Sequence, residues 1–136
     1  MQVGSIDKSK LAKTDDEFKE LVESDVDWFA RSADDVRELR EAQYGPFGKL
    51  PEDDFREFVD SLEFDGGGIA TGSYKPLMGS LSLTELFEVF ECFGISHELF
   101  FSGHPSGDPP GMDNRACRAG ECISSPGHFC TVFCFI

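Results

Sequence analysis

The chain has 136 residues, of which 26 are acidic and 12 are basic, so its formal net charge is −14. This charge argues against nucleic acid and anionic membranes as partners, because no basic patch is available to displace the counterions of a phosphate backbone or to bind acidic lipids. Hydrophobic residues make up 40% of the sequence and fourteen residues are Phe, enough for one modest core, so the chain is not predicted to be disordered throughout.

The charge is distributed unevenly along the chain. Residues 1–101 carry a net charge of −13, whereas residues 102–136 carry a net charge of −1. The segment 102–114 has three prolines and three glycines among thirteen residues and cannot hold a helix. We therefore predict an acidic helical leader or recognition domain at 1–101, a Gly/Pro-rich linker at 102–114, and a Cys/Ser/Thr-rich core peptide at 115–136.

Helix-capping signals predict that the first 101 residues are all-α, a small acidic helical bundle followed by a flexible, irregular tail. The sequences TDDE at 14–17 and SLTE at 82–85 are capping boxes. In such a box the Ser or Thr hydroxyl accepts from an amide in the first turn, and the Glu reaches back to the cap. Ser32 predicts a third helix start, and Gly94 predicts the end of the helix that begins at 82–85.

Apolar spacing supports the same helices. After Pro51, apolar side chains recur at i, i+3, i+4 and i+7, a spacing that places them on one face of a helix: Phe55, Phe58, Val59 and Leu62. The Gly-rich segment 66–81 is predicted to connect two helices, with residues 69–71 forming a short strand or lying over the core. The helix that follows is very apolar, and four of its side chains are predicted to be either core or a docking surface: Leu86, Phe87, Phe90 and Phe93.

Four of the five cysteines lie within the last twenty residues. The N-terminus lacks the apolar region of a secretory signal, and no stretch approaches the roughly 18 apolar residues of a membrane span. We therefore expect the chain to be made and first held in the cytoplasm, where thiols stay reduced. Clustered cysteines there indicate metal, redox or modification chemistry rather than a disulfide framework.

The known metal and catalytic motifs fit this sequence poorly. Structural zinc sites favour C-x2–4-C knuckles, and the nearest match, Cys130-x3-Cys134, has no turn glycine, so we predict no metal and no cofactor. A redox C-x-x-C pair and the oxygen ligands of a calcium loop are missing from the sequence. Cys92, inside an apolar helix, is interpreted as a buried small hydrophobe. No nucleophile elbow, P-loop or H-E-x-x-H motif occurs, so we predict that the chain is not an enzyme.

The tail combines thiols with hydroxyls. A dehydrated Ser or Thr is an electrophile to which a Cys thiolate adds, giving a thioether, and short rings close at the lowest entropy cost. Thr131 and Cys134 are three residues apart, and Ser125 and Cys130 are five apart. This pattern predicts that the tail is a substrate for modification.

The architecture resembles that of precursors of ribosomally synthesised, post-translationally modified peptides, and CRAGECISSPGHFCTVFC most resembles a lanthipeptide core. The resemblance implies a modifying dehydratase/cyclase, a leader peptidase and an exporter as partners. It also implies a cytoplasmic precursor without membrane contact, and an exported antimicrobial or otherwise membrane-active product. Three residues would then be dehydrated and four would donate thioethers: Ser124, Ser125 and Thr131, and Cys117, Cys122, Cys130 and Cys134.

The sequence departs from that pattern in two respects. No Gly-Gly or Gly-Ala lies just before the core, where the leader would be cleaved, and Cys117 and Cys122 lack a close upstream Ser or Thr. These two cysteines would instead pair as a disulfide after export, or add to a downstream serine. Heterocyclisation to thiazoles would use the same residues.

A second hypothesis comes from another class of protein. The chain would be an acidic helical protein-interaction module with a folded or metal-binding Cys tail and no modification. The tail residues HFCTVFCFI have the β-forming composition of a strand or hairpin that packs onto the helices.

Overall fold

The computed structural model describes residues 6–24, 26–100, 113–118 and 120–135, and within these ranges the chain has a mixed α/β fold. The all-α prediction is therefore wrong. The described part holds six α-helices: α1 Asp15–Glu23, α2 Ala33–Glu41, α3 Glu52–Ser61, α4 Lys75–Met78, α5 Leu83–Glu91 and α6 His97–Phe100. It also holds three short 3-10 helices, Lys8–Lys10, Gly45–Lys49 and Val132–Phe135, and four strands: β1 Glu63–Asp65, β2 Gly68–Ser73, β3 Asp113–Arg118 and β4 Glu121–Cys130.

The predicted helix starts are present, because their caps are satisfied locally. The Ser82 hydroxyl accepts from the Glu85 amide at 3.2 Å, and the Glu85 carboxylate accepts from the Ser82 amide at 3.0 Å, a complete capping box. Thr14 accepts from the Glu17 amide at 3.1 Å. Ser32 caps α2 in the same way.

The glycine run behind α3 forms a hairpin turn between β1 and β2. Asp65 pairs with Gly68, and the two residues between them, Gly66 and Gly67, have φ angles of 61° and 89°. Two successive positive φ angles match the right-handed twist of the flanking strands, and glycine adopts them without steric cost. The run therefore reverses the chain and starts the sheet.

The predicted flexible tail is instead part of the sheet. The strand order is β1-β2-β4-β3, and all neighbours are antiparallel, so β4 lies between β2 and β3. Thr71 of β2 pairs with Cys130, and Ser73 pairs with His128. The prediction of an irregular tail is wrong, because β4 pairs with the edge of β2 that β1 leaves open.

Aromatic rings fix the tail against the helices. The Phe129 ring meets the Phe90 ring edge to face, with 4.9 Å between centroids, and Phe133 meets Phe18 in the same way at 5.1 Å. All four rings are buried in one core cluster. Residues 113–135 and the helices therefore share a single core, and the predicted linker falls largely outside the described residues.

Arg31 ties three segments together near the hairpin turn. Its guanidinium donates to the carbonyl oxygens of Val22 at 2.8 Å, Ser24 at 2.9 Å and Val26 at 3.0 Å. A further bond of 3.3 Å reaches the Gly67 carbonyl in the hairpin turn. Arg31 thereby satisfies carbonyls in the last turn of α1 and just beyond it that have no intrahelical partner. Among the described residues, no helix has the length and apolar character needed to span a membrane.

Candidate functional site

The four tail cysteines converge on one face of the β3–β4 hairpin. Cys117 and Cys122 are directly opposite each other on the two strands, so their side chains point to the same face. Cys130 ends β4, and Cys134 lies in the 3-10 helix that follows. Two disulfides form, Cys117–Cys134 and Cys122–Cys130, with Cα atoms 5.6 and 5.8 Å apart.

Two of the three hydroxyl groups predicted to be modified, those of Thr131 and Ser125, are engaged in hydrogen bonds. The Thr131 side chain is buried, donates to the Ile69 carbonyl at 2.7 Å and accepts from the Phe133 amide at 3.1 Å. The Ser125 hydroxyl contacts His128 Nδ1 at 3.0 Å. Nothing is described of the Ser124 side chain. In this fold every predicted thioether donor is already paired as a disulfide.

The Ser125–His128 pair is a hydroxyl beside an imidazole, the combination that nucleophilic catalysis uses. The two residues are three apart on β4, and the contact joins the hydroxyl to Nδ1. The local contact orients the imidazole within the strand. It does not by itself provide the oxyanion donors that acyl transfer also requires.

Most of the predicted docking residues on and just after the apolar helix α5 face the core. Leu86, Phe90 and the following Phe93 are buried, which supports their alternative role as core residues. Phe87 is half-buried, and its ring lies 5.2 Å from the His97 ring. A partner could reach Phe87 without unfolding, but not Phe90 or Phe93.

Cys92 follows α5 and holds a free, buried thiol. Its sulfur contacts the Glu88 carbonyl oxygen at 3.4 Å. Burial raises the pKa of the Cys92 thiol to about 12, and the nearby charges of Glu91 and Glu88 add to the increase. A thiol with such a pKa carries almost no thiolate at neutral pH, so Cys92 is not a nucleophile in the folded chain.

A surface cavity of about 340 Å³ lies between α2 and α3. The chain has only six arginines, and three of them line this cavity: Arg37, Arg40 and Arg56. Three acids and two apolar residues complete the lining: Glu41, Glu52, Asp60, Phe55 and Val59. We call this feature the arginine cavity. Sequence reasoning missed it, although Arg37 and Arg40 share one side of α2 at i, i+3 spacing.

Two of the arginines already have partners. Arg37 forms a 2.7 Å ion pair with Asp34, and Arg56 forms 3.4 Å pairs with Glu52 and Asp53. Arg40 differs from both. Its guanidinium lies over the Phe55 ring at 4.7 Å, and its Nη1 atom is buried and lacks a hydrogen-bond partner among the described residues.

No protein-family model, curated protein or solved structure matches the chain. Two features of the described residues have chemistry that suits a functional site, the cysteine cluster and the arginine cavity. Only the arginine cavity combines recessed space with an unsatisfied charged donor. This combination is typical of a ligand site.

Proposed function

We propose that the chain is an interaction module, used without modification, that holds a carboxylate of a partner peptide in the arginine cavity. The observation that carries this proposal is Arg40, which lines the cavity and whose buried Nη1 lacks a partner among the described residues, so that an entering carboxylate must uncover this atom to pair with it. An unsatisfied buried donor costs about 1–3 kcal/mol, and more when it is charged. Carboxylate oxygens are strong acceptors for guanidinium and often take two parallel bonds.

The charges around the cavity favour a peptide with one carboxylate over a polyanion. Glu41, Glu52 and Asp60 balance the three arginines, so the cavity wall as a whole is neutral. The chain's net charge of −14 repels a ligand with several negative charges. A single C-terminal or side-chain carboxylate meets Arg40 while the rest of the peptide avoids this repulsion.

The size and lining of the cavity suit a short peptide segment. Ligand pockets have volumes of roughly 300–1,000 Å³, and the arginine cavity lies at the lower end of that range. Phe55 and Val59 offer an apolar wall for one side chain. The stacking of Arg40 on Phe55 holds the guanidinium in place before binding, which reduces the entropy lost on association.

The exposed acids of α1 indicate that the partner peptide is otherwise basic. Five acidic side chains on this helix are exposed, and within the described part of the chain none forms an ion pair: Asp15, Asp16, Glu17, Glu20 and Glu23. Such a surface speeds encounter with a basic partner and discriminates against acidic ones. The overall charge thus favours a basic partner, and Arg40 provides the specific contact with its carboxylate.

The modified-peptide precursor is the competing proposal. A dehydratase would have to reach Thr131, whose side chain is 3% exposed, and a cyclase would need free thiols at positions now joined as disulfides. Both reactions would therefore have to occur before the tail folds. The folded tail supports the unmodified module.

The proposed function is tested by following the arginine side-chain Nε–H resonances of the ¹⁵N-labelled chain. We would add a mixed-sequence tetrapeptide pool with free C-termini, and then the same pool with amidated C-termini. The free pool should shift Arg40 most, and the amidated pool should shift it much less. Equal shifts from both pools, or shifts only at Arg118, would contradict carboxylate binding. The Arg40→Met variant should lose the response, whereas Arg118→Gln, an exposed change of the same charge, should keep it.

A further inference from the structure

The two disulfides lie next to each other, and this arrangement has chemical consequences that are independent of the arginine cavity. The Sγ atoms of Cys117, Cys130 and Cys134 all lie within 4.8 Å of one another, although they belong to both disulfides. The fourth sulfur, of Cys122, is bonded to that of Cys130. Four sulfurs from β3, β4 and the last 3-10 helix are therefore gathered in one cluster.

We propose that, when both disulfides are reduced, these four cysteines bind one Zn²⁺ ion as a tetrahedral thiolate site. Zinc–sulfur bonds are about 2.3 Å long, which places the sulfurs of a Cys₄ site about 3.8 Å apart. Reduction must therefore separate each bonded sulfur pair from about 2 Å to about 3.8 Å, whereas the other distances among the Cys117, Cys130 and Cys134 sulfurs need to close by no more than about 1 Å. Thiolate ligands of this number and softness select zinc over magnesium or calcium.

The cysteine spacing in the sequence does not match a zinc knuckle, but the fold brings the four cysteines together in another way. A zinc knuckle places two cysteines two to four residues apart on one turn. Here the strand pairing performs that task instead, because Cys117 and Cys122 are cross-strand neighbours. Cys130 and Cys134 then approach the same hairpin face from the end of β4 and the following helix. The ligands are brought together by tertiary structure and not by a local turn.

The reduction and binding steps require one dithiol reductant for each disulfide and one Zn²⁺ ion for each chain. Each disulfide accepts two electrons and two protons from a dithiol reductant, which becomes a disulfide itself, so that two S–S bonds give four thiols. Zn²⁺ then binds four thiolates, and up to four protons pass to water. The site would thus exist as two disulfides in an oxidising compartment and as a zinc centre in a reducing one.

The cluster has a route by which a reductant and an ion can enter. Cys117 is half-buried and, with Cys134, lines a surface cavity of about 220 Å³. Glu63 and Asp65 line the same cavity and are exposed. Their negative charge raises the local concentration of divalent cations. Cys130 is buried and completes the inner side of the cluster.

Metal binding would preserve the fold that the disulfides otherwise hold. Without cross-links, the β3–β4 hairpin and the last 3-10 helix are held against the rest of the fold by hydrogen bonds and by the burial of Phe129 and Phe133 in the core. A structural zinc ion contributes its binding free energy directly to folding. The zinc form and the disulfide form should therefore have the same sheet.

The test uses the full chain, reduced anaerobically with a phosphine and then titrated with Co²⁺ as a spectroscopic probe. We expect one ion per chain, with sulfur-to-cobalt charge-transfer absorption and the ligand-field bands of a tetrahedral site, and displacement by Zn²⁺. Cys92→Ala, which removes the one cysteine outside the cluster, should leave the titration unchanged. Cys130→Ser should weaken binding by more than about 100-fold, because loss of an outer-sphere partner alone costs ~10–100-fold.

Hydrogen exchange on the wild-type chain gives a second readout, which does not depend on whether a cysteine variant folds when it is reduced. Zn²⁺ added to the reduced wild-type chain should restore protection of the β3 and β4 amides to the level of the disulfide form. Absence of a tetrahedral cobalt spectrum in the reduced wild-type chain would overturn the proposal. Loss of that spectrum in Cys92→Ala, or its full retention in Cys130→Ser, would do so as well.

Discussion

The rings of Phe90, on α5, and Phe129, on β4, meet edge to face with 4.9 Å between their centroids, and neither ring is exposed to solvent. This contact joins the acidic helical part of the chain to its cysteine-rich tail. Edge-to-face pairs contribute about 0.5–1.5 kcal/mol beyond the burial of their surface. The tail is therefore part of the core and contributes to the stability of the helices.

Phe129→Ala should consequently destabilise the whole domain. We expect the free energy of unfolding to fall by about 3–5 kcal/mol, the usual effect of removing a fully buried ring. Ile123→Ala is the matched control, since Ile123 lies on the same strand but is 43% exposed. Its effect should stay within about 0.5 kcal/mol. Urea denaturation followed by circular dichroism measures both, and a Phe129 variant as stable as the control would show that the tail is not core.

Arg31→Lys should also lower stability, although it keeps the charge. The guanidinium donates to four backbone carbonyls around the end of α1 and the hairpin turn, and an ammonium cannot reach all of them. We expect a loss of about 1.5–3 kcal/mol, typical of hydrogen bonds that involve a charged group. Arg118→Lys, at an exposed position, should be neutral in the same thermal and urea unfolding experiments. Equal stability of the two variants would mean that the Arg31 network contributes little.

Arg40→Met, unlike Arg31→Lys, should not lower stability, because it removes a buried donor that has no hydrogen-bond partner among the described residues. The lost contact with Phe55 costs about 0.5–1 kcal/mol, whereas the unsatisfied donor costs about 1–3 kcal/mol. We therefore expect stability to be unchanged or to rise by about 1 kcal/mol while ligand binding is lost. A clear decrease in the melting temperature would show that Arg40 serves the fold and not a ligand.

The raised pKa of Cys92 makes stability depend on alkaline pH. The thiol has an ordinary pKa of 9.0 and a pKa of about 12 in the folded chain. Between these values the unfolded chain has lost a proton that the folded chain retains. The free energy of unfolding therefore falls as pH rises through this window, by up to about 1.4 kcal/mol per pH unit.

The measurement for Cys92 is a series of urea unfolding curves from about pH 8 to about pH 11 on the wild type and on Cys92→Ala. The stability difference between the two should shift steadily in favour of the variant as pH rises. Tyr44 also has a raised pKa, chiefly because of its burial and next because of the charge on Cys92. The part due to burial is common to both chains and cancels, whereas the part due to Cys92 is lost in the variant and shifts the difference in the same direction. A difference that does not change with pH would contradict the burial of a neutral thiol.

The sequence predicted those parts of the fold that depend on neighbouring residues. The capping boxes and the apolar stripe at Phe55, Phe58 and Val59 mark helices whose hydrogen bonds close within a few residues. Gly94, with a φ of 85°, ends the α5 segment as expected. Local signals of this kind need no knowledge of the rest of the chain.

The sheet and the candidate sites depend on contacts between distant residues. DGGG at 65–68 fits both a helix stop and a hairpin turn, and only the pairing of β2 with β4, nearly sixty residues on, decides between them. Cysteine connectivity likewise cannot be deduced from spacing. The arginine cavity requires the packing of α2 beside α3, which no motif encodes.

The intact mass of the chain, expressed together with its neighbouring genes and purified without reductant, tests the unmodified, folded tail most directly. The mass should lie four hydrogens below that of the sequence, and digestion should give peptides linking Cys117 to Cys134 and Cys122 to Cys130. Reduction should then make all five cysteines alkylatable in denaturant. Loss of one or more waters, with tail cysteines that stay unreactive after reduction, would show thioether formation and contradict the unmodified module.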